Sequence, residues 1–302
     1  MESNHLSSRA IALLGRRVTL KLTAESSNEV PVRAREIPKL LGLALAIGAL
    51  FCAGFASLST PGFAGQSQIS SAICPIVYQL DQESAERGYR YIFYGNAFFI
   101  DKEGYLLTAA HVLTDFRDGG QPQILLRLAE APPRLVKIET VASDSQHDIA
   151  IVRAVPNPFA GRYAVSVLAL ASAKPSQGSN ILAAALRPAR LRDPHTFDAP
   201  TEDSSPAEIL QYTSLRLNKG QPESELFLFN HEVIRGQSGA PIVSRDTQEV
   251  VGIVEGQWLR GVPVTSSGKA ASGIGAGLPI TYALALLDQE HIAWQSTSEP
   301  SK

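Results

Sequence analysis

From Ile73 onward the chain is a succession of short β-prone runs, each closed by a turn signal, and this rhythm constrains the fold more than any other feature. RYIFYGNAFFI is followed by the acidic-glycine turn DKEGY, then by LLTAAHVL, QILLRLAE, RLVKIETVAS and DIAIVRAV. A looser stretch, PNPFAGRYAVSVLALASAKPSQGS, separates these from a second group: NILAAAL, EILQYTSLRLN, ELFLFNHEVI, APIVS, EVVGIVEGQWL and SGIGAGLPI. One clear helical signal, ITYALALLDQEH over Ile280–His291, comes last. The expected architecture is all-β: two antiparallel six-stranded β-barrels with a C-terminal helix. Barrel 1 would cover about 73–155 and barrel 2 about 165–292, within a domain 73–292 followed by a tail, 293–302. Periodicity alone does not separate this arrangement from a β-sandwich. The polar, proline-rich stretch RPARLRDPHTFDAPTEDSSP, Arg187–Pro206, reads as a long surface loop.

Charge narrows the function classes. With 27 Lys+Arg against 29 Asp+Glu, the chain has no basic excess for nucleic acid and no acidic tail, so no nucleic-acid partner is expected. Residues 40–58, LLGLALAIGALFCAGFASL, are apolar and uncharged, with Arg33, Arg35 and Lys39 just before them and Gly62 and Ala64 placed for cleavage before Gly65. Segment 40–64 therefore reads as a signal peptide or as a single membrane anchor. The polar leader, 1–39, is longer than an ordinary signal n-region. A true start near Val30 or Val32 would account for it, as would a cytoplasmic tail on an uncleaved anchor. The domain after residue 65 is expected to be exported, periplasmic or secreted, touching membrane only through the apolar segment. Of the two cysteines, Cys52 lies in that segment and Cys74 reads as a small buried side chain, so no disulfide is expected in the domain.

Three residues carry chemistry in combination. Ser238 stands between glycines in IRGQSGAPIV, but a serine hydroxyl is inert at neutral pH until a base takes its proton, and alone it could serve only a tight turn. His111 ends the strand-to-turn passage YLLTAAHVL, where small alanines would let an imidazole sit on a barrel rim. Alone it reads as well as a structural histidine. The other histidines are worse placed: His5 in the leader, His195 in the loop, His231 in a predicted strand, His291 at a helix end, and His147 facing away from its neighbour Asp148. Asp148 opens the apolar strand DIAIVRA, where a half-buried carboxylate needs a donor such as an imidazole N–H, or merely caps the strand. In the order His111, Asp148, Ser238, the first two fall in barrel 1 and the third in barrel 2, so a site would lie in the cleft between them.

LLTAAHVL, HDIAIVRA and RGQSGAPIV, in this order, resemble the three signature regions of trypsin-like serine peptidases, and in tone those of bacterial HtrA-like protease domains. EVVGIVEG and SGIGAGLPI resemble the strands after the nucleophile in that group. The resemblance covers about 75–290 and implies a chymotrypsin-like double barrel and a serine endopeptidase acting on protein or peptide. Ser238 would attack, His111 would act as general base and then acid, and Asp148 would orient the imidazole. The N–H groups of Gly236 and Ser238 would form the oxyanion hole, Gly239 would leave space beside the nucleophile, and Pro241 would stiffen the exit. No metal or organic cofactor is required. The family places the substrate pocket in NHEVI, VEGQW and GIGAG, which makes Glu232, Glu255 and Ala276 its candidates. Either carboxylate on the pocket floor would favour basic substrates.

Two departures stand out. Gln237 precedes the nucleophile, whereas zymogens of that family carry an aspartate that pairs with a freed N-terminus, and no substitute is visible in the sequence. No peptide-binding PDZ module is expected after His291. Among rivals, an α/β-hydrolase would need a glycine where Ala240 stands and a histidine loop separate from the acid, whereas Asp288 and His291 share one helix. A latent enzyme or a non-catalytic binding protein on a protease scaffold remains the alternative.

Overall fold

The computed structural model describes residues 66–80, 88–114, 116, 120–126, 133–160, 165–187, 190–191, 202–258 and 273–297. The leader, the apolar segment, Cys52 and His195 lie outside the described residues. No helix among the described residues is long and apolar enough to cross a membrane. The chain divides into two units, Met1–Thr60 and Pro61–Lys302, and all that follows belongs to the second.

A short helix, α1 (Gln66–Ala72), runs straight into the first barrel. Its strands are β1 (Ile73–Gln79), β2 (Tyr91–Phe99), β3 (Tyr105–Ala109), β4 (Gln123–Leu126), β5 (Arg134–Asp144) and β6 (Ile149–Val155). They pair antiparallel in the order β1-β4-β5-β6-β3-β2, and β1 also pairs with β2, which closes the ring. The short helix α2 (His111–Thr114) follows β3, and the two-residue strand β8 (Arg190–Leu191) adds to the edge of β2. The second barrel comprises β7 (Asn180–Leu186), β9 (Glu202–Leu215), β10 (Ser224–Phe229), β11 (Pro241–Ser244), β12 (Val250–Gln257) and β13 (Gly275–Pro279). It closes in the order β10-β13-β12-β11-β7-β9, and helix α3 (Ile280–Gln289) follows directly. Closure of both rings excludes the sandwich that periodicity had left open.

Burial on both strand faces explains why these runs are continuously apolar. In barrel 1 alternate residues diverge: Cys74, Ile76 and Tyr78 of β1 join Val152 and Ala154 of β6 in one cluster. Ile73, Val77, Ile149 and Ile151 point the other way, into a cluster shared with Phe227, Ile242 and Ile253 of barrel 2 and Ala283 and Leu287 of α3. A period of two with both faces buried reads in sequence as an unbroken hydrophobic run.

Two expectations need correction. The loop expected over Arg187–Pro206 is in part sheet: Glu202–Pro206 begin β9, where Glu202 pairs with Leu186 and Pro206 with Leu182. β9 changes partner along its length, meeting β7 through Glu208 and β10 from Ile209 onward, so polar residues can occupy its outer half. The strand expected to carry NHEVI stops at Phe229. Asn230 ends it, its side-chain oxygen accepting the Glu208 N–H at 2.6 Å, and His231 lies past the strand end.

Candidate active site

β3 delivers its last residues to the barrel rim, and α2 begins at His111. The turn is pinned from below, where the Tyr78 hydroxyl donates to the Val112 carbonyl at 2.7 Å and stacks its ring on Phe116 at 4.3 Å. Across the adjoining strand, Asp148 occupies the left-handed region at φ 54, a conformation that aspartate tolerates better than most residues. That twist aims it at His111. One carboxylate oxygen accepts the His111 backbone N–H at 2.8 Å, and the other lies 2.6 Å from Nδ1. Asp148 is only 5% exposed, and its own carbonyl accepts the Ala110 N–H at 3.0 Å. An ionised carboxylate only accepts, so Nδ1 carries the ring proton and Nε2 keeps its lone pair in the neutral imidazole.

Ser238 arrives from barrel 2 on the loop between β10 and β11, and the loop is fastened to barrel 1. Its carbonyl accepts the Asn96 N–H at 2.8 Å, and the Asn96 side-chain amide donates to the Gly236 carbonyl at 3.0 Å. Asn96 is fully buried and also receives the Leu186 N–H on its Oδ1 at 3.1 Å, while Thr108 Oγ1 donates to its carbonyl at 2.6 Å. Gly239 is required here by more than space beside Ser238. It sits at φ 82, and a Cβ there would lie 2.2 Å from the Asn96 carbonyl and 2.4 Å from Thr108 Oγ1. The loop thus packs against barrel 1 within three residues of His111. The Ser238 hydroxyl donates to the Glu255 main-chain carbonyl at 2.9 Å.

The turn before Ser238 is closed by Gln237 N–H donating to the Ile234 carbonyl at 3.1 Å, with Gly236 at φ 97 in its third position. That is the residue and sign a type II turn demands. Neither the Gly236 N–H nor the Ser238 N–H has a protein acceptor among the described residues.

His111, Asp148 and Glu255 line a cavity of about 360 Å³ with Ala110, Thr114, Ser143, Ser145, Leu217 and Asn218. The loop after β9 forms its far wall and is stitched to the turn before Asp148. Gln221 Nε2 donates to Ser145 Oγ at 3.3 Å, and Ser224 Oγ donates to the Gln146 carbonyl at 2.8 Å. Burial pushes the Glu255 carboxyl above the usual range; nearby His111 pulls it down and Asp148 pushes it up again. Its carboxylate has no hydrogen-bond partner among the described residues.

Of the three pocket candidates, only Glu255 lines this cavity. Glu232 is exposed past the end of β10. Ala276 is 1% exposed, enclosed with Leu210, Leu228 and Ile274 because β13 is covered on that face. Residues 259–272, between β12 and β13, lie outside the described residues. Sequence reading missed Asn96, although its signal was available: an amide inside the apolar run YIFYGNAFFI must be satisfied or exposed. Among the described residues, no group of three or more histidine, cysteine or acidic side chains is arranged to hold a metal.

Two closed antiparallel barrels with a terminal helix define the chymotrypsin-like class, and solved structures agree. The active form of the Rv3671c protease from M. tuberculosis superposes with a TM-score of 0.55 at 14% identity, over 79% of this chain and 89% of that one. An inactive mutant form of the same protease gives 0.51 at 15% identity, covering 82% and 97%. The apo MamO protease domain from Magnetospirillum magneticum gives 0.50 at 13% identity, covering 73% and 97%. At such identities the likeness concerns the fold. Residues 95–253 match the family described as the trypsin-like peptidase domain, and the chain belongs to that family. No protein of curated function matches the sequence.

Proposed function

We propose that this chain is an exported serine endopeptidase in which Ser238, His111 and Asp148 act as a catalytic triad. The observation that carries the reading is the double hydrogen bond from His111 to a buried Asp148, which leaves Nε2 as a base beside the Ser238 loop. At rest the Ser238 hydroxyl is donated to the Glu255 carbonyl. For attack it turns to His111, which takes the proton as Oγ adds to the scissile carbonyl. The oxyanion that forms is met by the N–H groups of Gly236 and Ser238, each such donor being worth about 3 kcal/mol in the transition state. The tetrahedral intermediate collapses as His111 protonates the leaving amine, leaving an acyl-enzyme on Ser238. Water, deprotonated by His111, then releases the acid product and restores the hydroxyl. Asp148 holds the ring tautomer and stabilises the imidazolium throughout.

The substrate class is protein or peptide, and the carboxylate of Glu255 in the cavity favours a substrate bearing a basic group near the cut. The apolar segment 40–64 supports export, by a cleaved signal or as an anchor. One observation favours a latent resting form: the Ser238 hydroxyl is engaged by the Glu255 carbonyl.

The test is reaction of the full-length protein with a fluorescent fluorophosphonate, beside Ser238→Ala and His111→Ala. Labelling that vanishes with the first and falls sharply with the second is expected. No labelling of folded wild-type protein would sink the constitutively active reading and leave a latent enzyme or a binding module.

A further inference from the structure

Two features are left without a role by this mechanism: Gln237, which breaks the family pattern beside the nucleophile, and the polar segment after Arg187. The structure joins them. Gln237 is 2% exposed. Its Oε1 accepts the Ile234 N–H at 2.9 Å while its backbone N–H returns to the Ile234 carbonyl, so both polar groups of Ile234 end on one residue. Its Nε2 donates to Asp203 Oδ2 at 3.1 Å. The same oxygen faces Arg187 Nη2 at 3.4 Å. An N–H on one side and a carboxylate on the other permit a single orientation of the amide.

We propose that Gln237 is a positioning residue, held by Asp203 and Arg187, that locks the Ile234–Gln237 turn so that the N–H groups of Gly236 and Ser238 stay aimed at the developing oxyanion. Gln237 thereby acts as an internal latch on the turn before Ser238. The chemistry is specific to an amide. An apolar side chain would take the acceptor away from the Ile234 N–H, and a carboxylate would face Asp203 with like charge. Asp203 lies opposite Ala185 in the β7–β9 pairing, so the anchor belongs to the barrel wall. Asn96 holds the Gly236 carbonyl from the other side, leaving little freedom to the peptide between them.

The latch rests on the serine-nucleophile reading, and its test separates the two. The readouts are fluorophosphonate labelling rate against pH, each relative to wild type, and backbone hydrogen exchange over 233–240, all in the full-length protein with the unfolding midpoint as a control. Gln237→Leu is expected to slow labelling by roughly 100-fold and to speed exchange over that segment. Gln237→Glu should be slow at pH 8 and recover relative to wild type as the pH falls and the new carboxyl protonates beside Asp203. Adding Asp203→Asn supplies an amide donor to that carboxyl and should restore labelling at pH 8, remove the pH dependence and return exchange to normal. Wild-type labelling rates and unchanged exchange in Gln237→Leu would overturn the latch, as would Gln237→Glu that Asp203→Asn fails to rescue. If the wild type itself does not label, the mechanism fails while the exchange pattern still decides the latch.

Discussion

Among the described residues two histidine–aspartate pairs share nearly the same local build, their aspartates four residues apart in the chain, and one of them lines the cavity. In both, Nδ1 lies 2.6 Å from a carboxylate oxygen, and in both the other oxygen accepts the histidine's own backbone N–H. His111–Asp148 spans two strands, with the aspartate side chain 7% exposed and the imidazole 30% exposed at the cavity. His147–Asp144 closes a single turn, with Asp144 27% exposed, and the ring lies stacked on Tyr282 of α3 at 3.8 Å. A paired imidazole is therefore not yet a base. What differs is the surroundings of the rest of the ring: a cavity shared with Glu255 in one case, an aromatic face in the other. The same contact leaves one histidine lining the cavity and the other a rivet between barrel 1 and the terminal helix.

Removing each aspartate's charge should separate the two pairs most strongly. Asp148→Asn should lower fluorophosphonate labelling by about 10⁴-fold, since an amide can present N–H to Nδ1 and invert the tautomer. Asp144→Asn should change it less than about threefold; equal losses would mean that both pairs serve catalysis. The histidines should separate in the same sense on labelling. His147→Ala gives up the stack on Tyr282 and the hydrogen bond to Asp144, costing about 1–2 kcal/mol by denaturant unfolding while labelling stays near wild type, whereas His111→Ala should lose most of the labelling. Tyr282→Phe keeps the stack but strands the Glu225 N–H, which donates to the Tyr282 hydroxyl at 3.0 Å, and should cost about 1 kcal/mol.

The smallest effects are in pH dependence, where two carboxylates act with opposite sign. Burial pushes Asp144 up, but the bonds from the His147 ring, the His147 N–H and the Gln146 N–H together hold it below the usual range. Its contribution is present above the unfolded value and is lost as pH falls through the lower folded value. His147→Ala should therefore flatten the acid limb of the unfolding midpoint. Glu255, raised chiefly by burial, binds its proton more tightly when folded, so it costs stability as pH rises from the ordinary glutamate range through the raised value. Glu255→Gln should remove that cost: its midpoint should gain on wild type with rising pH, and a constant difference would count against the buried carboxylate.

Much was legible from residues alone. The runs from RYIFYGNAFFI to SGIGAGLPI specify strands because apolar, β-branched and aromatic residues between turn signals leave little else for the backbone to do. Their grouping into two sets of about six, with β1 completing the first, gives the pair of barrels, and the three motif residues stood out as candidates because each has a side chain suited to one part of one reaction. Less legible was anything that depends on which strands become neighbours. The outer half of β9 read as loop because its polar residues pair with β7 at an edge rather than fill a core. Asn96 passed as part of a strand, though it bonds the Gly236 carbonyl 140 residues away. Gln237 looked like a departure without a replacement until Asp203 stood beside it. The small alanines of YLLTAAHVL set His111 apart from His147, but no local pattern showed that His147 would pair with Asp144 and stack on Tyr282 of α3. Local propensity and patterning are short-range properties, so the chain by itself determined its strands, its turns and its inventory of reactive groups. Which groups meet, which are stacked against a neighbouring helix and which amide bonds the turn before Ser238 are long-range facts, decided only when barrel closure brings distant strands within hydrogen-bond distance.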